Sequence, residues 1–228
     1  MKISLSISEN APKNAPFVLK GPWDESIRLA KSIGYDAVEM HIRHPKEIDI
    51  QHLKNVLNDE HIIVSSIGSG LGFGLDGLSL SDPDDQKRLL AVKRIEEHIH
   101  LAHELNACVI IGTMKGFAKE HSTYISFMDA FSKSITSLIP LAEAKKVVLV
   151  LEAINRYESD AMNTCEETAE FIRKFQSPNL KLHIDLFHMN MEERNIEEAI
   201  HKTKDVIGHV HVADNNRHFP GGGCFNYK

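Results

Sequence analysis

Three ionisable side chains sit where apolar runs of the sequence end. Glu152 follows VVLVL, Asp185 follows LKLHI, and His211 closes IGHVH. They are 33 and 26 residues apart, each about the length of one strand and helix. A carboxylate in an apolar run is costly unless it is paired or bound to a cation. Taken singly, such a Glu reads as salt-bridged to a neighbour and such a His as a hydrogen-bonded core residue. Recurrence on three successive runs favours a shared site. Two carboxylates and an imidazole form an oxygen-rich, borderline-hard donor set, which suits Mn²⁺, Mg²⁺, Co²⁺ or Zn²⁺ better than a soft metal. The same runs carry Asn155, Arg156 and Glu158, then His183 and His188, then His209, Asp214 and Arg217. His183 and Asp185 share a face, with His183 the deeper. His209 and His211 are read as pointing to opposite faces, His211 inward. An earlier run, DAVEMHI, holds Glu39 and His41, which read equally as substrate contacts or as packing.

These residues need elements to position them. Strands are expected at about 2–7, 36–42, 62–67, 107–112, 147–154, 180–186 and 207–213. Helices are expected at about 23–33, 49–58, 83–105, 122–145, 165–175 and 195–204. The long helix opens with Asp82-Pro83, a cap followed by proline at the first helical position. Strand-helix alternation predicts a parallel sheet, and in such folds functional groups gather at the C-terminal strand ends. The fold class expected is α/β, a TIM-type barrel lacking its eighth βα unit, as one domain over 1–228 that is C-terminally incomplete. The tail NNRHFPGGGCFNYK offers a turn but no eighth strand. An open edge between the first and seventh strands would favour a homo-oligomer. His98, His100 and His103 are expected to face solvent. Gly68–Gly74 reads as a mobile loop over the pocket mouth with Phe73 as an apolar wall; an anion cradle of backbone N–H groups is the alternative.

Composition narrows the function. At 228 residues and 42% hydrophobic, the chain can build a sizeable core. A net charge of −6 argues against nucleic acid as a partner. Cys108, Cys165 and Cys224 are few, odd in number and far apart, which fits a reducing compartment and no thiolate zinc site. The opening MKISLSISEN has too few apolar residues for a signal-peptide core, and no run approaches a membrane span. A cytoplasmic location is expected.

At these positions the sequence resembles the xylose isomerase-like TIM-barrel superfamily of sugar phosphate isomerases and epimerases, most of all its ketose 3-epimerase branch. The matching motifs are E-x-x-N-R-x-E at Glu152–Glu158, H-I-D-x-x-H at His183–His188 and H-V-H-V-A-D-x-N-R at His209–Arg217. Gly34–Glu39 and the stretch Pro220–Gly223 add to the likeness. The resemblance implies one divalent metal on Glu152, Asp185 and His211, with Glu152 also the acid/base. It implies that His188 and Arg217 bind substrate oxygens and that Glu158 orients the sugar; Glu39 is added as a further substrate contact. The substrate implied is a small sugar or sugar phosphate, processed through an enediolate. The family's fourth ligand, a glutamate on strand eight, has no counterpart in the sequence, Asn226 stands where relatives often carry Asp, and Cys224 where they often carry His. Two other readings are an abasic-site endonuclease-like metal hydrolase and a non-catalytic, truncated sugar-binding relic.

Overall fold

The computed structural model describes residues 2–12, 15–225 and 227, so Asn226 lies outside the described residues. The first half of the chain contains β1 (Ser4–Ser8), β2 (Leu19–Lys20), α1 (Trp23–Ser32), β3 (Ala37–His41), α2 (Ile50–Asp59), β4 (Ile63–Gly68), α3 (Leu71–Asp76) and α4 (Asp85–Leu105). The second half contains β5 (Cys108–Ile111), α5 (Tyr124–Lys145), β6 (Leu149–Glu152), α6 (Cys165–Arg173), β7 (Leu180–Asp185), α7 (Leu186–Glu192), α8 (Ile196–Thr203) and β8 (Ile207–His211). The strands form one parallel sheet in the order β2-β1-β3-β4-β5-β6-β7-β8. The sheet curls far enough for side chains of β8 to reach β3, yet among the described residues β8 pairs only with β7. This is the expected α/β architecture, a TIM-type barrel that is not closed.

All seven expected strands are present, most of them trimmed at one or both ends. Three of these elements are additional: β2, α3 and α7. The two-residue β2 pairs with β1 at Ile7 and Ser8 and covers that end of the β1 edge. The short α7 follows β7 directly, its first turn capped by Asp185 itself.

Local chemistry explains the helix boundaries. Residue Asp49 caps α2, Thr123 and Ser126 form a capping box on α5, and Thr164 and Asn195 cap α6 and α8. Gly34 takes φ 98° just after α1, as expected for a glycine that ends a helix. The start of α4 differs from expectation. Asp84, not Asp82, is the cap, accepting from the N–H groups of Gln86 and Lys87, because a cap must reach donors two and three residues on. Pro83 therefore lies outside the helix.

Two further expectations are corrected. His98 is fully buried, its ring nitrogens bonded to the carbonyls of Arg94 and Ile42. It falls on the inner face of α4 with Ile95 and Ile99, while His100 and His103 are exposed. The glycine-rich segment is not a loop: Gly68 ends β4 and residues 71–76 form α3. The N–H groups of Gly72, Phe73 and Gly74 are spent on the carbonyls of Ser69 and Gly70, which removes the anion cradle. Phe73 packs against Phe117, ring centroids 5.5 Å apart.

The core fills the space inside the sheet and beneath the helices, with Phe127, Phe131, Ile95 and Ile99 among its largest buried side chains. The outer face of β8 is bare by comparison: Val210 is 46% exposed.

Candidate active site

Sheet register brings the polar residues together. Asp185 lies beside His211, His183 beside His209, and Glu152 beside His183. Irregularities in the ladder fall between Val38 and Glu39 and between Leu182 and His183. A bulge re-aims the side chains that follow it. Glu39 and His183 are those side chains, and both end up inside the curled sheet, almost fully buried.

Glu152, Asp185 and His211 converge. Each offers a ligand atom, and these atoms all lie within 4.8 Å of one another. The Nδ1 of His211 is 3.6 Å from Asp185 Oδ2 and 3.9 Å from Glu152 Oε1. Its Nε2 bonds Glu39 Oε2 at 2.9 Å. One nitrogen is thus tied to a deep carboxylate while the other faces the acidic pair. That is the arrangement in which a second carboxylate fixes the tautomer and orientation of a metal-ligating imidazole.

The expectation that His209 and His211 face opposite ways is wrong. Residues two apart on a strand share a face. Both imidazoles reach the same oxygen of Glu39, His209 at 3.1 Å and His211 at 2.9 Å. Glu39 also accepts from Ser6, Ser66 and His41. Its two oxygens are met by protein donors and it is 2% exposed, so Glu39 holds the imidazoles around it in place. His41 shares that role, with the Phe17 ring tilted against its own, centroids 4.2 Å apart.

The electrostatics follow. Burial pushes the Glu152 acid up to about 7; the charge of Asp185 adds to this and that of His211 opposes it. Burial also acts to raise Asp185 and Glu39, but their imidazole neighbours outweigh it and hold both below the usual carboxylate range. For His211, burial favours the neutral ring, yet the charge of Glu39 and contact with Asp185 raise it well above its ordinary value. Two buried carboxylates and an imidazole whose free nitrogen faces them form a donor set that fits a divalent cation of the Mg²⁺ to Zn²⁺ group.

Around this group stands a polar wall. His188, on α7, points Nε2 towards Glu152 at 3.7 Å and Asp185 at 4.0 Å. Its Nδ1 accepts from the amide of Asn155 at 2.6 Å. Asn155 is fully buried and accepts the N–H groups of Tyr157 and Glu158, which shapes the turn after β6. Glu158 then takes a two-pronged pair from Arg217, 2.8 and 3.2 Å. Arg217 lies 4.4 Å over the Phe187 ring. Its segment is ordered by Asp214, whose carboxylate accepts from the N–H groups of Asn215, Gly221 and Phe225.

Two contributors lay outside the sequence-based reading of the site. Lys115 is 2% exposed and donates to the carbonyls of Glu152 at 3.2 Å and Met162 at 3.4 Å. Burial pushes its ammonium down to about 8. Gly112, the residue after β5, lies against Glu152: a Cβ there would lie 2.5 Å from Glu152 Oε2. Asn155 was visible beside Glu152, but its bond to His188 was not. For Gly112 and Lys115 the available signal was a glycine closing the apolar run CVII and a lysine three residues beyond it, at the C-terminal end of that strand.

Comparison with known proteins agrees with this architecture. L-ribulose 3-epimerase from Mesorhizobium japonicum is 29% identical over 211 residues, covering 90% of this chain and 68% of the relative. The 3-dehydro-D-guloside 4-epimerase of Escherichia coli is 27% identical over 213 residues, covering 89% of this chain and 78% of the relative. The crystal structure of 3-keto-D-glucoside 4-epimerase from E. coli matches 99% of this chain and 84% of its own with a TM-score of 0.82; at 24% identity that likeness carries the fold alone. A model of one family, described as xylose isomerase-like TIM barrel, matches residues 27–228. This chain belongs to the xylose isomerase-like TIM barrel family.

Proposed function

We propose that the chain is a divalent-metal-dependent epimerase or isomerase of ketoses or related keto sugars, working by proton transfer through an enediolate. The observation that carries the reading is the meeting of Glu152, Asp185 and His211 within 4.8 Å, with His211 anchored from behind by Glu39. These three residues hold the cation. When bound, the cation supplies Lewis-acid stabilisation of negative charge on neighbouring substrate oxygens. Glu152 removes the proton from the carbon beside the carbonyl and returns it as the general acid. His188 donates through Nε2 to a sugar oxygen, its other nitrogen being occupied by Asn155. Arg217 and Glu158, joined to each other, orient the far end of the sugar. The relatives are named as epimerases of L-ribulose and of 3-dehydro-D-guloside, and the glycine-rich segment is helical with its N–H groups spent, which together favour a ketose or keto sugar recognised without a phosphate cradle.

One carboxylate suffices to exchange the carbon-bound proton with solvent; inversion needs a second acid on the opposite face of the sugar. Exchange is therefore the direct readout. The Mn²⁺-loaded chain, incubated in D₂O with a panel of ketoses, is expected to label carbon 3 of at least one of them. Chelation or Glu152→Gln is expected to abolish labelling. Metal-loaded protein that labels no ketose at any carbon beside the carbonyl would overturn the reading. Aldose products without label at carbon 3 would shift it to aldose-ketose isomerisation.

A further inference from the structure

A second group of ligand atoms lies beneath the first. His183, His209 and His211 each offer a ring nitrogen, and these also lie within 4.8 Å of one another. The rings crowd together: the His183 centroid is 4.0 Å from that of His211 and 5.0 Å from that of His209. His183 is wholly buried, and neither of its nitrogens has a hydrogen-bond partner. A neutral imidazole carries one N–H and one lone pair, and buried polar atoms almost always find partners. The two nitrogens of this buried ring lie among the imidazoles of His209 and His211, with Nδ1 also 3.9 Å from Glu152 Oε1, so the ring is placed to act as a ligand. Beside them the Glu39 carboxylate, buried and anionic, accepts from His209 and His211.

We propose that His183, His209 and His211 form an inner site for a nitrogen-preferring divalent cation of the Zn²⁺ class, separate from the oxygen-rich set of Glu152, Asp185 and His211. The donor chemistry distinguishes the two. Three imidazoles with one nearby carboxylate select Zn²⁺, Ni²⁺ or Cu²⁺, whereas two carboxylates with one imidazole also serve Mn²⁺ and Mg²⁺. His211 belongs to both groups. A cation in the inner site that takes His211 through Nδ1, the nitrogen facing Asp185 and Glu152, occupies a donor of the outer one, so Zn²⁺ then competes with Mn²⁺. This competition rests on the outer-site reading above; binding of Zn²⁺ by the three imidazoles does not.

Equilibrium dialysis of the metal-free chain with Zn²⁺ alone and with Mn²⁺ alone separates the sites. His209→Gln is expected to weaken Zn²⁺ at least tenfold and leave Mn²⁺ within about threefold. Glu152→Gln is expected to do the reverse. X-ray absorption at the zinc edge of the unaltered protein, with one equivalent bound, needs no variant to fold and is expected to count three imidazoles. A single imidazole at the zinc edge, or Zn²⁺ affinity unchanged in His209→Gln, overturns the inner site and leaves a buried water as the occupant of that space. Failure of Mn²⁺ to bind, with Zn²⁺ still on three imidazoles, would count against the proposed function and not against this site.

Discussion

Replacing Gly112 by alanine tests the site through one atom. The added Cβ would stand 2.5 Å from Glu152 Oε2 and 3.6 Å from Ile154 Cδ1. The second distance is ordinary contact; the first is not. To reach the 3.4 Å at which ordinary contact begins, the Glu152 carboxylate must retreat by about 0.9 Å. Metal ligands tolerate departures of about 0.2 Å, so this retreat removes Glu152 as a well-placed ligand. The collision is with the end of a flexible side chain, so the fold is expected to lose only about 1 kcal/mol, the low end for overpacking. Mn²⁺ affinity is expected to fall roughly 10–100-fold, about 1.4–2.7 kcal/mol, the range seen when a ligand's support is removed. Calorimetric titration with Mn²⁺ beside thermal melts of the metal-free protein reads both numbers. Gly74→Ala is the control: its Cβ would meet nothing within 4 Å, it is exposed on α3, and it is expected to stabilise by about 0.4–1 kcal/mol with unchanged metal binding. Gly112→Ala with Mn²⁺ affinity within twofold of the unaltered protein would refute the reasoning, because the carboxylate it displaces would then not be holding the ion.

Other predictions concern the supports of the site and of the fold. Glu39→Gln places an amide among five hydroxyl and imidazole donors, and is expected to weaken Mn²⁺ about 10–100-fold by releasing the ring of His211; titration calorimetry checks this. Asn155→Ala removes the acceptor of two backbone N–H groups and the partner of His188. It is expected to cost about 1–3 kcal/mol in denaturant unfolding and to raise KM for the sugar while leaving Mn²⁺ affinity near its original value. Asp76 joins Arg43 to Arg94, and the bond from Arg43, with that from Arg94, holds its carboxyl below the ordinary value despite some burial. Its contribution is full above the ordinary carboxylate range and disappears as pH falls through the depressed value. Asp76→Asn is therefore expected to lose about 1–2 kcal/mol at pH 7, allowing for solvent around Arg43, and to match the unaltered protein only once pH has fallen below the depressed value; urea melts from neutral to acid pH test it.

Much of this protein was determined by sequence alone. Apolar runs such as VVLVLE and LKLHID, spaced by amphipathic segments, specify parallel strands covered on both faces, and the ionisable residue ending each run marks the rim where chemistry occurs. Period-two alternation also places His209 with His211; applied correctly, it puts both on the inner face where they are found. Helix periodicity likewise sets His98 with Ile95 and Ile99 on a buried face.

Tertiary structure decided the partnerships. Glu39 is 170 and 172 residues from the two histidines it holds, and no local pattern carries that distance; it arises from the curl of the sheet and two ladder irregularities beside Glu39 and His183. The glycine-rich segment became helical because the carbonyls of Ser69 and Gly70 were available to its N–H groups, a backbone opportunity that glycine content does not reveal. The acid strength of Glu152 is a property of its burial beside Asp185 and His211, so residue type could name the carboxylate but only the packed environment could set its charge.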